Sequence, residues 1–353
     1  MSAKRIQLVD DSGQNGGAFF PESDTIDNLP PVRELFPSGS TLLDLVNGGG
    51  WPVGRIVHGA GASSAGKTQV FATEAMVNFD RTFPGSPITY VDAENAYDAE
   101  YAVRLGLPSR IKPRNAEDLA GEINTIEAFA ADVEKFCEVI PKDGHGLYVL
   151  DSFDALSDES ERERTLSDAT YGGDKAKLYG AFCRKNSGLI AKKNVTLMVI
   201  SQVRDNMGAG PFAPKERIAG GRALKFYASV QVWLHHTKRL ARTVRGIERE
   251  IGVLVRAKCE KNKISAPFRE CTFPILFNFG VDDVASMASW ILEAKEWEAV
   301  GSTKKELEDL VKTSAKIAGT STWKDWQRAL RDPTIRIWNK VEADLRPPGS
   351  KYS

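Results

Sequence analysis

The stretch Gly61-Ala-Ser63-Ser64-Ala65-Gly66-Lys67-Thr68 fits the spacing G-x-x-x-x-G-K-T, and no other feature constrains the fold of this chain as tightly. A polyphosphate is held by a concave nest of backbone N–H groups, which needs small residues with free φ. Gly59 to Ala62, Ala65 and Gly66 supply them, and no bulky side chain obstructs the loop. Arg55 to His58 is predicted to be a short buried strand leading in, with a helix starting where the loop ends. Lys67 is then placed to reach the β and γ phosphates and the Thr68 hydroxyl to hold Mg²⁺, with the helix N-terminus directed at the anion. Gln69 follows inside that helix and completes the candidate nucleotide-binding set.

Composition narrows the class. A chain of 353 residues, 42% hydrophobic and 27% charged, has the make-up of a globular protein with one large core and room for a smaller module. Lys plus Arg and Asp plus Glu number 47 each, so any basic surface for nucleic acid must be local. The four cysteines have no C-x-x-C spacing and the first residues include no apolar leader, which point to a reducing cytoplasm. No apolar run approaches the ~20 residues of a membrane helix, so no membrane partner is expected.

Beyond the loop, apolar strands alternate with helical patterns, the signature of an α/β fold with a mostly parallel sheet covered on both faces. Ile88 to Asp92 reads as a strand ending in acid, followed at once by Ala93-Glu94. In such sheets the carboxyl ends of the strands line the ligand crevice, which puts Asp92 and Glu94 where an attacking water is positioned. Residues 116–139 read as an amphipathic helix. Gly146 to Asp151 is a second apolar strand ending in acid, the Walker B pattern, with Asp151 holding Mg²⁺ directly or through water.

Residues 158–177, with Arg162, Arg164, Lys175 and Lys177, read either as an ordinary solvated loop or as a basic contact, and a helix is predicted from Leu178 to Lys193. Thr196 to Gln202 is the next strand. The segment 203–219 after it is long for a structureless connection and sets Arg204, Lys215 and Arg217 beside Phe212, charge for phosphates and a stacking face for bases. A strand is expected over Val230–Leu234, with His235-His236 structural or exposed. Strands near 251–258 and 269–277 flank Lys261-Asn-Lys263-Ile-Ser-Ala-Pro-Phe268, an antiparallel hairpin at the sheet edge.

Residues 1–36 are rich in Gly, Pro, Ser and Asp, either a flexible arm or a segment that docks on a neighbouring subunit. From 282 onward, after a core of 37–281, the chain reads as a small helical module of 282–353 holding five of the seven tryptophans, as core residues rather than a ligand cage. Thr303-x-x-Glu306 is a capping box opening one helix; a second follows Thr322, and a third is expected to start at Asp332-Pro333.

From about Ser38 to Gly280 these stretches together resemble the RecA family of recombinases. The resemblance implies a RecA-like ATPase core using ATP and Mg²⁺, filaments of the protein on single-stranded DNA, and pairing of that strand with double-stranded DNA. It makes Glu94 the residue activating water, with Lys67 and Gln202 acting with it, Gln202 as sensor of the γ-phosphate. Asp98 and Tyr101 would contact adenine. Residues 158–177 and the segment after Gln202, with Met207 in it, correspond to the two DNA-binding loops. Gly220-Gly221-x-Ala-Leu-Lys-Phe-Tyr is a distinctive match beside them, and Lys261 and Lys263 are expected to reach the nucleotide of the adjoining subunit. Ser201 replaces the asparagine common before the sensing glutamine, and the N-terminal arm and C-terminal module depart from cellular RecA, which suggests a divergent, phage-borne or accessory member. A RecA-fold ATPase that binds DNA without strand exchange, a ring helicase or mediator, is the alternative. A small-molecule kinase would leave the segment after Gln202 unexplained.

Overall fold

A computed structural model describes residues 34–94, 98–111, 113–114, 123–159, 174–205, 216–218 and 221–349. The short strands β1 (Leu35–Phe36) and β2 (Trp51–Pro52) pair around α1 (Thr41–Asn47). Then come β3 (Ile56–Gly61), a π-helical segment Thr68–Glu74 that continues as α2 (Ala75–Thr82), β4 (Ile88–Asp92), α3 (Ala99–Arg104), β5 (Pro113–Arg114), α4 (Ile126–Val139) and β6 (Gly146–Asp151). The second half runs α5 (Asp174–Lys192), β7 (Val195–Asp205), β8 (Glu216–Ile218), α6 (Gly221–Tyr227), β9 (Val230–Val244), β10 (Ile247–Asn262), β11 (Glu270–Leu276), β12 (Gly280–Val281), α7 (Asp283–Ala294), α8 (Lys304–Ile317) and α9 (Ser321–Asp344).

Ten strands make one sheet in the order β12-β11-β10-β9-β3-β7-β6-β4-β5, with β8 folded back on β7. The run from β9 to β5 is parallel, and β9 through β12 are antiparallel, the α/β layout expected from the sequence. The central strands are apolar on both faces because both are covered. Val57, Leu147, Val149, Met198 and Ile200 point to the side of Phe71, Met76 and Phe79. Their strand neighbours, among them Ile56, Tyr148, Leu150 and Val199, point to Phe129, Val133, Tyr179 and Phe182. Every second residue changes face, as a strand demands.

Two expectations are corrected in extent. The edge hairpin exists, with Val255 opposite Phe273, but β9 does not stop at Leu234. It runs through His235 and His236 to Val244, turns at Arg245-Gly246 and returns as β10. Both turn residues have positive φ, 52° and 77°, as a two-residue type I′ hairpin requires. The charged residues of 238–250 lie on both faces, so the period of two was hidden. The helix expected over 116–139 is described from Ile126, capped by the Thr125 hydroxyl, which accepts from the Ala128 N–H; 115–122 lie outside the described residues.

The C-terminal correction is larger: no third helix starts at Pro333. One helix, α9, passes through it, capped at Thr320 rather than Thr322. An interior proline costs about 3 kcal/mol. Leu330, Thr334 and Ile337, all buried on the C-terminal core, hold the helix together across it, and the Thr334 hydroxyl donates to the Leu330 carbonyl at 2.7 Å. The capping box at Thr303 and Glu306 is formed. Trp323 is buried, and Trp290 and Trp338 pack edge to face, so these rings are core residues. Asp282, at the N-cap of α7, joins the three helices: its carboxylate accepts from Ser314 Oγ at 2.7 Å and Trp323 Nε1 at 2.9 Å. All four cysteines are buried and free, and among the described residues no helix is long and apolar enough to cross a membrane.

Candidate active site

The site forms where β3, β4 and β6 end, beside Gln202 within β7. Asp92 and Asp151 are registered partners, Gly61 is registered with Gln202, and the phosphate loop leaves the same edge. Ser64 and Gly66 have φ of 59° and 81°, which turns successive amides into one concave face. Gly61 must be glycine for another reason: a Cβ there would lie 2.6 Å from the Leu234 carbonyl of β9.

Lys67 is drawn back along this loop, its ammonium donating to the Ala62 carbonyl at 2.8 Å. Burial lowers its pKa, opposed by the carboxylates of Asp151, Glu94 and Asp154. The Thr68 hydroxyl donates to Asp151 Oδ2 at 2.5 Å. Burial pushes the Asp151 carboxyl up to about 6, the Thr68 hydrogen bond opposing and the charges of Glu94 and Asp92 adding to it. Two hard oxygen donors side by side at a phosphate nest fit Mg²⁺, which takes one or two protein ligands and completes its shell with phosphate and water. Among the described residues there is no group of three or more His, Cys, Asp or Glu that could hold a metal ion.

Glu94 is held from two sides. Ser152 Oγ and Gln202 Nε2 both donate to its Oε1, the latter at 3.0 Å. The Gln202 backbone N–H donates to Asp154 Oδ2 at 2.7 Å. One carboxylate thus touches both the residue that follows Asp151 and Gln202, which lies inside β7. The strand runs past the expected end at Gln202 to Asp205 and pairs there with β8, so 203–205 and 216–218 are a hairpin and not a structureless connection. Ser152 and Asp154 carry no role that the sequence alone assigns; their place just past an acid-ending strand was the available signal. Behind Gln202, the buried His58 imidazole lies between Ser201 Oγ at 3.1 Å and Gln231 Nε2 at 2.7 Å. Burial lowers its pKa to about 3, so it bridges three central strands as a neutral group.

Tyr101 and Asp98 come together on α3, where Asp98 caps the helix by accepting from the Tyr101 N–H at 2.9 Å. The Tyr101 hydroxyl donates to Gln69 Oε1 at 2.9 Å, and Gln69 Nε2 donates to Glu74 Oε1 at 3.3 Å. Gln69 is thereby tied to both the phosphate-loop helix and the expected base site.

Lys261 and Lys263 stand elsewhere. Lys261 is registered with Gln231, which is level with His58 near the start of β3, so the pair sits toward the opposite edge of the sheet from the phosphate loop. At ~3.3 Å per residue and ~4.8 Å per strand the offset is about 10 Å along and about 10 Å across. The Lys261 ammonium donates to the Lys225 and Phe226 carbonyls at the end of α6, both at 2.6 Å. Burial, with Lys263 and Lys225 nearby, draws its pKa down to about 8.

Of the residues expected at DNA, Arg162, Arg164, Met207, Phe212, Lys215 and Gly220 lie outside the described residues. Lys175 is in the first turn of α5, Gly221 opens α6, and Arg204 is registered opposite Arg217 where β7 and β8 pair. Both positions of that pair are on the carboxyl side of the site.

A family model for the RecA N-terminal domain matches residues 30–282. The chain belongs to the RecA family. It is 33% identical over 284 residues to Protein RecA of Sulfurimonas denitrificans, covering 78% of this chain and 77% of that protein. Against Protein RecA of Wolinella succinogenes the identity is 33%, over 74% of this chain and 70% of that one, and against that of Thermus thermophilus 35%, over 76% and 74%. The family match ends at the N-cap of α7, so the three C-terminal helices lie beyond it.

Proposed function

We propose that this RecA-family chain is a DNA-stimulated ATPase that assembles head to tail on single-stranded DNA and pairs that strand with homologous duplex, in the cytoplasm. The observation that carries the reading is the contact of Glu94 with Gln202. A group aimed at the attacking water and a group at the head of a DNA segment share one oxygen, so occupancy of either site biases the other. Glu94 acts as general base, Lys67 and the loop amides hold the β and γ phosphates, and Asp98 and Tyr101 face the adenine. Thr68 and Asp151 would hold Mg²⁺, which supplies charge neutralisation at the transferred phosphoryl group. Release of the Gln202 amide from Glu94 to the γ-phosphate frees the base and reorients the segment that follows. Lys261 and Lys263 complete the site of the next subunit; their distance from their own phosphate loop supports this. The three parts 1–36, 37–281 and 282–353 would serve docking, catalysis and accessory contacts respectively. The test is ATP hydrolysis with and without single-stranded DNA, with electron microscopy of the mixture. A DNA-dependent rise together with filaments is expected; an ATPase indifferent to DNA refutes the reading.

A further inference from the structure

Lys261 and Lys263 stand where β10 gives way to the loop 263–269 that leads into β11. Most of that loop is fastened from within the ATPase core. The Asn262 carboxamide accepts from the Ile264 and Ser265 N–H groups at 2.8 and 2.9 Å and donates to the Asn47 carbonyl at the end of α1 at 3.0 Å. The Phe268 N–H donates to the Cys259 carbonyl at 2.7 Å and the Cys259 N–H to the Arg269 carbonyl at 2.9 Å, which closes the loop. Between these two bonds Phe268 has φ 69°, a left-handed conformation that a bulky side chain keeps only where its surroundings over-determine it. Its ring is 68% exposed, so the hydrogen bonds on either side hold it there, not apolar packing.

One fastening comes from outside the core. Arg269 Nη1 donates to the Ala266 carbonyl inside the loop at 2.8 Å, and the Nε and Nη2 of the same guanidinium form a fork on the Glu342 carboxylate of α9, with Nε 2.5 Å from Oε1. Ile335, Trp338 and Glu342 recur at helical spacing, and the first two pack against the large core, so this row of α9 faces the loop while Leu330, Thr334 and Ile337 face the C-terminal helices. The two charged side chains are 23% and 19% exposed, and hydrogen bonds from Arg269 hold the Glu342 carboxyl below the usual carboxylate range. Arg328 and Asp325 on the same helix pair at 77% and 68% exposure, where water leaves an ion pair little worth.

We propose that Glu342 is a positioning residue for nucleotide hydrolysis in the neighbouring subunit: by fixing the Arg269 fork it holds the loop in the shape that presents Lys261 and Lys263 across the interface. A planar fork on a carboxylate fixes direction as well as distance. The proposal rests on the reading above of these lysines as groups of the next subunit's site, and it gives α9, which lies beyond the family match, a share in that site. The plain alternative is a staple that only holds α9 on the core of its own subunit.

The test mixes full-length variants and measures ATP hydrolysis at saturating single-stranded DNA. Glu342→Gln alone should lose activity by up to about 10²-fold, which a misplacement of about 1 Å in a positioned group can cost. Mixed with an equal amount of Lys67→Ala, whose loop 263–269 is intact, it should recover towards about a quarter of the wild-type rate, the share of interfaces that join an intact phosphate loop to an intact neighbour. A staple within one subunit predicts dilution alone, about half the rate of Glu342→Gln, by the same counting. R269Q/E342Q leaves no unpaired charge, so it should regain any melting temperature that Glu342→Gln loses and still lack activity, a split that a purely structural role does not produce. Wild-type hydrolysis by Glu342→Gln overturns the proposal, as does activity that returns with stability in R269Q/E342Q. Dilution alone on mixing with Lys67→Ala, while electron microscopy shows mixed filaments, overturns it too. Lys67→Ala with Lys263→Ala is the control: if that pair also fails to recover, the composite-site reading itself has failed and the proposal falls with it, a distinct outcome.

Discussion

Replacing Glu94 by Gln is the sharpest probe of the chemistry. The amide retains the shape of the side chain, and its oxygen still accepts from Ser152 and Gln202, which now meet at Glu94 Oε1. What disappears is the ability to take a proton from water. General-base assistance is worth ~10²–10⁴ in rate, about 2.7–5.5 kcal/mol of barrier. Gln202→Ala leaves Glu94 in place with its Ser152 hydrogen bond and severs only the link to the segment that follows Gln202. Steady-state ATP hydrolysis at saturating single-stranded DNA should therefore fall more for Glu94→Gln than for Gln202→Ala. The two should differ in kind as well: Glu94→Gln retains nucleotide binding and filaments, and Gln202→Ala retains its DNA-free rate while losing stimulation. Near wild-type turnover in Glu94→Gln would refute the assignment of the base.

Substituting Arg204, Phe212, Lys215 and Arg217 together by Ala should weaken single-strand binding, with the salt slope falling by about 0.7 for each phosphate that is no longer neutralised; an unchanged slope makes the segment a mere connection. A second expectation concerns Glu74, whose carboxyl burial pushes up to about 7 against hydrogen bonds from the Val281 N–H and Gln69. Between pH ~4.5 and ~7 the folded chain holds a proton that the unfolded chain has released, so stability falls as pH rises through that window and levels off above it, by up to about 3 kcal/mol. Glu74→Gln should therefore raise the melting temperature at pH 8 relative to wild type by more than at pH 5; equal shifts at both would show that Glu74 is not held protonated.

The placement of the loop Gly61–Thr68 and of the acid-ending strands was legible because residue type and spacing are fixed together there: Gly61 and Asp151 end neighbouring parts of one sheet edge, and Thr68 bonds Asp151. Long-range polar partners were not, since nothing local in Ser152, Asp154 or His58 says what lies across the sheet. The β9–β10 arm was missed because a two-stranded ribbon wet on both faces has no apolar alternation; only Arg245-Gly246 marked its turn. Pro333 misled because a proline signal is local, and the burial of Leu330, Thr334 and Ile337 on the neighbouring helices outweighs it. Lys261 and Lys263 show the reverse case, where the registered sheet adds distance to a role that sequence likeness had suggested.

The composite site is the central claim, and mixing two inactive variants tests it most directly. Lys67→Ala breaks the phosphate loop of its own subunit, and Lys263→Ala fails to complete the site of the next, so each alone should be inactive. In a random equimolar co-filament about a quarter of the interfaces join an intact loop to intact trans lysines, by the head-to-tail geometry of such assemblies. ATPase activity should therefore return in part on mixing. A mixture as inactive as its components, while electron microscopy shows mixed filaments, would contradict the account and return the lysines to their own subunit.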